Sequence, residues 1–323
     1  MPKTFATLFS GIGGTDLGLT NAGFKPVYAV EWNQGAIDIL TANHDIPIVI
    51  HDDVNNINFG DLPDVDLLWA SPVCCSYSGA NHKKGETELD LKSSVSISNA
   101  AQFAQSVIIE NVPTYYKSNA FRLLSEKLNQ IGFSHYNNYR LNAANFGNPA
   151  SRDRSYGVFS RSPFKLNLPP EDPIDWDKVL MQYRDYWVES ELTDRQRTAL
   201  DSFYGFGFDS SIENRPVAIE RLGYYSNIPK YYISIGGYPC IKSHSHHDGR
   251  NPKPGYGKVG SYRSYMDFSY QCKSYSVTPQ LLGVLNGFPI NYSWGKNKAQ
   301  SSAGCGNAVC PKMAEIISSC LFN

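Results

Sequence analysis

Short apolar, β-branched runs recur along the first half of the chain, at residues 4–9, 26–30, 46–50, 67–70 and 106–109, with another at 155–159. Each has the length of one strand and is too short for a buried helix. Stretches with helical spacing lie between them: one from Gly14 towards Gly23, then 96–105 and 121–130, and a last one near 308–321. Apolar strands separated by helices predict an α/β fold on a mostly parallel sheet covered on both faces. The runs also stop abruptly. They close on Ser10-Gly11, on Glu31-Trp32-Asn33, on His51-Asp52-Asp53-Val54, on Ser71-Pro72 and on Glu110-Asn111. A buried parallel strand ends this way at the carboxyl edge of its sheet, where doubly wound folds bind their ligands. Residues 161–271 break the pattern, being rich in Tyr, Pro and Gly with only short apolar pieces such as 231–235, and they predict an irregular second lobe. The expected division is residues 1–160 with 273–323 in a discontinuous main domain and 161–272 in a smaller one. The mixed-charge stretch 172–204 reads as a solvated helical face.

Composition narrows the class. With 323 residues, 41% of them hydrophobic, the chain can bury one large core and carry a smaller lobe. No apolar run reaches the length of a membrane span, and the opening residues lead straight into a strand pattern rather than a signal peptide. A cytoplasmic (or nucleoid-associated) protein with no membrane partner is therefore expected. Seven cysteines are scattered without a Cys-x-x-Cys pair, which suggests neither a disulfide framework nor a zinc site, so no metal is expected. The net charge of −1 shows no general basic excess, so a polyanion would have to meet a local patch.

The strand ends carry the candidate chemistry. After the first strand comes Phe9-Ser10-Gly11-Ile12-Gly13-Gly14-Thr15-Asp16, a glycine turn opening a helix, which brings backbone amides close to a ligand. Its spacing is not Gly-x-Gly-x-x-Gly, and the Asp16 carboxylate would repel a dinucleotide's pyrophosphate. A cofactor with an ammonium group suits it better, which points to S-adenosylmethionine rather than NAD. Glu31, about 20 positions beyond the glycines, is placed to grip a ribose, with Trp32 beside it to stack on adenine. Asp53, followed by Val54, is placed to meet an adenine amino group, although a helix N-cap or a solvated turn explains Asp52 and Asp53 as well. Cys74 and Cys75 follow the fourth strand, where a thiol is either a nucleophile or a small buried packing residue. Residues 79–87 read as a mobile polar loop able to close over a substrate. Glu110 stands too near a buried strand end for an ordinary surface charge. Arg152 and Arg154 alternate on entry to a strand and so share one face, suited to a carboxylate or a base carbonyl, or else to a solvated edge.

In order and spacing these motifs resemble the cytosine-5 DNA methyltransferase family. Phe9-Ser10-Gly11-Ile12-Gly13-Gly14, Glu31-Trp32, Asp53, Ser71-Pro72-Val73-Cys74-Cys75-Ser76-Tyr77-Ser78, Glu110-Asn111-Val112 and Arg152-Asp153-Arg154 carry the likeness. Thr278-Pro279-Gln280, Leu285-Asn286-Gly287-Phe288-Pro289 and Gly306-Asn307-Ala308-Val309 complete it near the end. The resemblance implies a Rossmann-like S-adenosylmethionine-dependent methyltransferase sheet with a smaller, irregular target-recognition domain, and a cofactor site that includes Asn307. It implies double-stranded DNA as partner, a flipped target cytosine and a monomer. Cys74 would be the nucleophile, counting back from Tyr77-Ser78, with Glu110, Arg154 and Arg152 around the base. Where the family has Pro-Cys-Gln this chain has Val73-Cys74-Cys75, and the arginine strand lacks its leading Gln. In the second lobe, Lys242, Arg250, Lys253, Lys258 and Arg263 form the local basic patch, and His244, His246 and His247 read as a polar DNA-facing loop rather than a metal site. Two rivals remain at this level: a transfer-RNA cytosine methyltransferase on the same fold, and a non-catalytic DNA-binding or regulatory relative.

Overall fold

The computed structural model describes residues 2–74, 76, 77, 85–172, 174–194, 196–198, 215–220, 231, 232, 266–271 and 273–322. Within these the chain divides into two compact units, one of residues 1–142, 153–169 and 308–323, the other of residues 143–152 and 170–307.

The first unit holds β1 (Thr4–Leu8), α1 (Gly14–Asn21), β2 (Lys25–Glu31), α2 (Gln34–Asn43), β3 (Ile48–His51), β4 (Val65–Ala70), α3 (Glu88–Ala101), β5 (Ala104–Asn111), α4 (Asn119–Gln130), β6 (His135–Asn142) and β7 (Asp153–Ser160). Among the described residues these strands form a seven-stranded sheet in the order β3-β2-β1-β4-β5-β7-β6. Neighbours from β3 through β5 pair in parallel, whereas β7 runs antiparallel to both β5 and β6. The strands expected from the apolar runs are thus present, and β6 is an addition. Its sequence is polar because it is an edge strand with several exposed side chains, so alternation alone did not reveal it.

Helix boundaries follow caps more than periodicity. The helix expected at 96–105 spans Glu88–Ala101, because Thr87 and Asp90 form a capping box that starts it early. Gln102 and Phe103 then turn the chain, and Gln105 lies in β5. Asn33 caps α2, and Ser118 caps α4. The core gathers Leu8, Val30, Leu68, Val107 and Ile109 from the sheet with Ile97, Leu124 and Leu128 from α3 and α4.

The second unit contains α5 (Trp176–Gln182), β8 (Val188–Glu189), β9 (Val217–Glu220), β10 (Tyr231–Tyr232), β11 (Met266–Tyr270), β12 (Lys273–Ser276), α6 (Pro279–Leu285) and α7 (Lys298–Asn307). Among the described residues its strands make a five-stranded sheet in the order β10-β9-β11-β12-β8, antiparallel throughout. In place of a solvated helical face, α5 buries Trp176, Val179 and Leu180. The contact pattern also moves the expected boundary: residues 143–152 and 273–307 belong with this unit. The Ala150 amide donates to the Leu285 carbonyl at 2.9 Å, and Asn286 Nδ2 donates to the Cys305 carbonyl at 3.1 Å. Residues 308–323 return to the first unit as α8 (Pro311–Leu321), which packs on α1. Gly18 permits that approach, since a Cβ there would lie 2.2 Å from the Pro311 carbonyl oxygen.

Candidate functional site

Parallel pairing brings the candidate residues of the first unit to one edge of its sheet. Leu8 is level with Val30 and Ala70, Ala70 with Ile109, and Glu31 with His51, so the turns after β1 to β5 all leave at the carboxyl end. Because β7 is antiparallel to β5, with Asn111 opposite Ser155, its first residues Asp153 and Arg154 reach the same edge.

The turn after β1 is wound through left-handed conformations at Phe9 (φ 58°), Gly11 (φ 57°) and Gly13 (φ 90°). A phenylalanine in that region costs on the order of 1 kcal/mol or more, and such outliers gather at functional sites. At Gly13 a side chain is excluded as well, since a Cβ would lie 2.5 Å from His44 Nε2. Burial pushes that imidazole's pKa down to about 4, so it is neutral at neutral pH. Gly14 begins α1. Glu31, only 6% exposed, fastens this turn to the next: Gly11 N–H donates to Oε2 at 2.8 Å, and the Trp32 and Asn33 amides donate to Oε1 at 3.0 and 2.9 Å. Trp32 is 68% exposed, as a stacking platform requires. Asp53 caps the 3₁₀ turn Val54–Asn56, its Oδ1 accepting from the Asn55 amide at 2.9 Å and from Asn55 Nδ2 at 2.8 Å. Val54 itself packs in the core.

Asp16 departs from its expected role. It is 1% exposed, turned beneath the turn rather than towards its open face, and accepts from Thr7 Oγ1 at 2.9 Å while its Oδ2 has no partner. Desolvation pushes its pKa up to about 7, against the lowering pull of the Thr7 hydroxyl. Asp16 supports the turn from below and offers no exposed anion to an ammonium group.

Cys74 follows β4 on a turn closed by the Tyr77 amide donating to its carbonyl at 3.0 Å. Residues from three other elements hold that turn. Asn111 Nδ2 donates to the Pro72 carbonyl at 2.8 Å, Ser76 Oγ to Asp90 Oδ2 at 3.0 Å, and Thr114 Oγ1 to the Tyr77 carbonyl at 2.6 Å. Asn111 stands in the Glu110-Asn111-Val112 motif, whereas Asp90 and Thr114 lie outside the motifs. The Thr87-x-x-Asp90 capping pattern was the one visible signal for Asp90. Cys75, residue 78 and residues 79–84 of the expected closing loop lie outside the described residues. Glu86, at that loop's far end, accepts at the N-terminus of α4 from the Asn119 and Ala120 amides.

Glu110 and Arg154 meet directly. Arg154 Nε is 3.1 Å from Glu110 Oε1, with the side chains 15% and 8% exposed, and Arg154 Nη1 donates to the Asp153 carbonyl at 2.9 Å. Arg152 does not share their strand face, because β7 begins at Asp153. Its guanidinium donates to the Gly306 and Asn307 carbonyls at 2.8 and 3.1 Å, at the C-terminus of α7, where a cation is favoured. Arg152 and Asn307 are thus joined within the second unit. Lys242, Arg250, Lys253, Lys258 and Arg263, like the three neighbouring histidines, lie outside the described residues. Among the described residues no helix is long and apolar enough to cross a membrane, and no three His, Cys, Asp or Glu side chains gather as metal ligands would.

Residues 3–323 match the family model described as C-5 cytosine-specific DNA methylase. The chain is 35% identical over 180 residues to the type II methyltransferase M.Bsp6I of Bacillus sp. (strain RFL6), a match covering 52% of this chain and 56% of that one. It is 33% identical over 157 residues to M.HaeII of Haemophilus aegyptius, covering 47% and 48%. The chain thus spans about half the length of these two relatives. To M.NlaX of Neisseria lactamica it is 26% identical over 317 residues, covering 94% and 91%. A crystal structure of a DNA modification methyltransferase encoded within an E. coli prophage superposes with a TM-score of 0.65 at 18% identity, over 99% of each chain. DNMT2 of Spodoptera frugiperda does so with 0.62 at 16%, over 99% of this chain and 100% of that one. At such identities the two structures speak for a shared fold. The match over almost the whole length, with the catalytic-type motifs on one sheet edge, leads to one conclusion: the chain belongs to the C-5 cytosine-specific DNA methylase family.

Proposed function

We propose that the protein transfers a methyl group from S-adenosylmethionine to C5 of a cytosine flipped out of duplex DNA, in restriction-modification or in phage or host DNA modification. The observation that carries this reading is the nearly buried Glu110–Arg154 pair, whose Glu110 precedes the Asn111 that holds the Cys74 turn. C5 of cytosine is too weak a nucleophile to accept a methyl group until something adds at C6. Cys74, as thiolate, forms a bond to C6. Glu110 accepts from the exocyclic amine and, in its acid form, gives its proton to N3 as the C6 bond forms, while Arg154 donates to O2, so the negative charge that addition pushes onto the ring is neutralised. Arg152 acts indirectly, by fixing the end of α7 and the backbone of Asn307. Once C5 carries the methyl group, loss of its proton and expulsion of the Cys74 sulfur restore the ring. A stacked base cannot reach these groups, which is why flipping is required.

S-adenosylmethionine, when bound, supplies an electrophilic methyl group. The residues present suit it: Glu31 for the ribose hydroxyls, Trp32 for the adenine face, Asp53 for the adenine amine, and the turn of Phe9, Gly11, Gly13 and Gly14 for the remainder. The basic residues Lys242, Arg250, Lys253, Lys258 and Arg263 would meet DNA phosphates, and the protein would act as a monomer in the cytoplasm or on the nucleoid.

The test is transfer of labelled methyl groups to unmethylated duplex DNA, with transfer RNA as the competing substrate. Cys74→Ser is expected to abolish transfer while cofactor and DNA still bind, whereas Cys75→Ala keeps it. In a duplex carrying 5-fluorocytosine the fluorine cannot leave as a proton does, so the covalent complex accumulates and peptide mapping finds its sulfur. An adduct on Cys75 would shift the nucleophile by one residue. Transfer to RNA alone would replace the DNA reading, and cofactor binding with neither adduct nor transfer would leave a non-catalytic relative.

A further inference from the structure

Tyr116 lies in the 3₁₀ turn Tyr115–Lys117 beyond β5, and its ring packs against Tyr115 and Phe121. Its hydroxyl does something unusual for a residue outside the sheet. In the β5–β7 register Ile109 stands opposite Gly157, Glu110 opposite Tyr156 and Asn111 opposite Ser155. The Gly157 amide donates to the Tyr116 hydroxyl at 2.7 Å, and that hydroxyl donates to the Ile109 carbonyl, with the Ser155 carbonyl 3.1 Å away as a second acceptor. A side chain thus joins the ladder between the two strands. The residues it touches flank the catalytic candidates: Ile109 precedes Glu110, and Ser155 follows Arg154. Gly157 makes room, since a Cβ there would sit 2.9 Å from Tyr116 Cε1. Burial raises the Tyr116 pKa well above its ordinary value, with the Glu110 charge adding to the effect, so the hydroxyl keeps the proton it donates.

We infer that Tyr116 is a positioning residue of the methyl-transfer reaction, its hydroxyl setting the spacing of β5 and β7 and through it the placement of Glu110 and Arg154 on the target base. This rests on the methyl-transfer reading above. The physical ground is that Glu110 and Arg154 belong to strands that separate beyond this point, β5 passing into a turn and β7 arriving from another unit. Each strand is held on its far side by another neighbour, Arg154 opposite Leu141 of β6 and Ile109 opposite Ala70 of β4, so the spacing between Glu110 and Arg154 is set by the last β5–β7 rungs and the Tyr116 tie. Small displacements of groups that stabilise a transition state are costly in rate.

The experiment compares the parent with Tyr116→Phe, which removes one oxygen and keeps the ring, and with Gly157→Ala, which pushes the ring aside and keeps the hydroxyl. Tyr136→Phe, a change at an exposed edge-strand tyrosine, is the control. Expected is a fall in kcat of about tenfold or more in both test variants, with a parallel slowing of adduct formation on 5-fluorocytosine DNA. The KM for S-adenosylmethionine should stay within about twofold of the parent's, since neither residue belongs to the cofactor turns. The Gly157 amide should lose hydrogen-exchange protection in Tyr116→Phe. A Tyr116→Phe protein with lowered melting temperature but parental kcat per folded molecule would make the tie merely structural and overturn the inference. If that variant does not fold, unchanged kcat in Gly157→Ala overturns it equally. A parent that transfers no methyl group removes the functional reading itself, and this inference with it.

Discussion

Arg154 Nε lies 3.1 Å from Glu110 Oε1, with both side chains largely withdrawn from solvent. Two strands of opposite direction, separated by more than forty residues of sequence, are needed to make that contact. An ion pair so placed has lost much of its hydration and is worth keeping mainly because each charge answers the other. It also leaves a planar guanidinium and a carboxylate side by side at the edge where Cys74 emerges, and these are the donor and acceptor types a pyrimidine edge requires.

Removing one partner should therefore cost more than removing both. Glu110→Ala is expected to lower unfolding free energy by about 3–5 kcal/mol, because Arg154 keeps a charge with no counterpart. The double change Glu110→Ala with Arg154→Ala should recover most of that loss while remaining inactive. Urea unfolding of the four proteins of the cycle measures the coupling. A single-variant loss below about 1 kcal/mol would show a pair behaving as exposed ones do.

Glu31 has two tasks on one carboxylate. Its oxygens take the Gly11, Trp32 and Asn33 amides, and the proposed cofactor site asks for ribose hydroxyls as well. Glu31→Gln presents an NH₂ where one of those oxygens stands, facing a backbone donor. We expect about 1.5–3 kcal/mol less stability and at least roughly tenfold weaker S-adenosylmethionine binding. Calorimetry and urea unfolding separate the two effects. Unchanged cofactor affinity in a folded variant would take Glu31 out of the cofactor site.

Asp16 makes stability depend on pH in a direction opposite to most carboxylates. Folded, it keeps its proton up to about pH 7; unfolded, it releases it near its ordinary value of about 4. Between those limits the folded state binds the extra proton, so the contribution is complete below about pH 4 and is lost as pH rises through about 7. The parent should lose up to about 4 kcal/mol across that window relative to Asp16→Asn, which does not titrate there. Unfolding free energies at about pH 4.5, 6 and 7.5 test it. Parallel pH profiles for the two proteins would mean that the carboxyl is solvated.

The seat of α8 on α1 depends on one missing side chain. At Gly18 a Cβ would meet the Pro311 carbonyl oxygen at 2.2 Å, Ala314 Cβ at 2.7 Å and the Glu315 amide nitrogen at 2.9 Å. Two of these are backbone atoms that move only with the helix. Gly18→Ala should thus destabilise by about 1–3 kcal/mol, despite the gain of up to about 1 kcal/mol in helix propensity. Thermal unfolding measures it, and a neutral or stabilising outcome would place α8 elsewhere.

The sequence alone determined the strand ends and what they carry. Apolar β-branched runs broken by Ser10-Gly11, Glu31-Trp32, Ser71-Pro72 and Glu110-Asn111 marked the carboxyl edge, because a buried strand tolerates polar residues only where it leaves the core. Those residues lie next to one another in the chain, so spacing could report them. Tertiary structure alone decided what each side chain faces. Asp16, three places into a helix, is acidic in any register, and only the packing over Thr7 buries it. Arg152 and Arg154 look equivalent two residues apart, yet one ends on the α7 carbonyls and the other on Glu110, since the strand begins between them. Asn111 on Pro72 and Tyr116 on Ile109 and Gly157 are hydrogen bonds to backbone atoms: a carbonyl that every residue type provides, and an N–H that every type but proline provides. A backbone acceptor leaves no mark in composition or periodicity, and so these ties exist only once the sheet has brought the strands together.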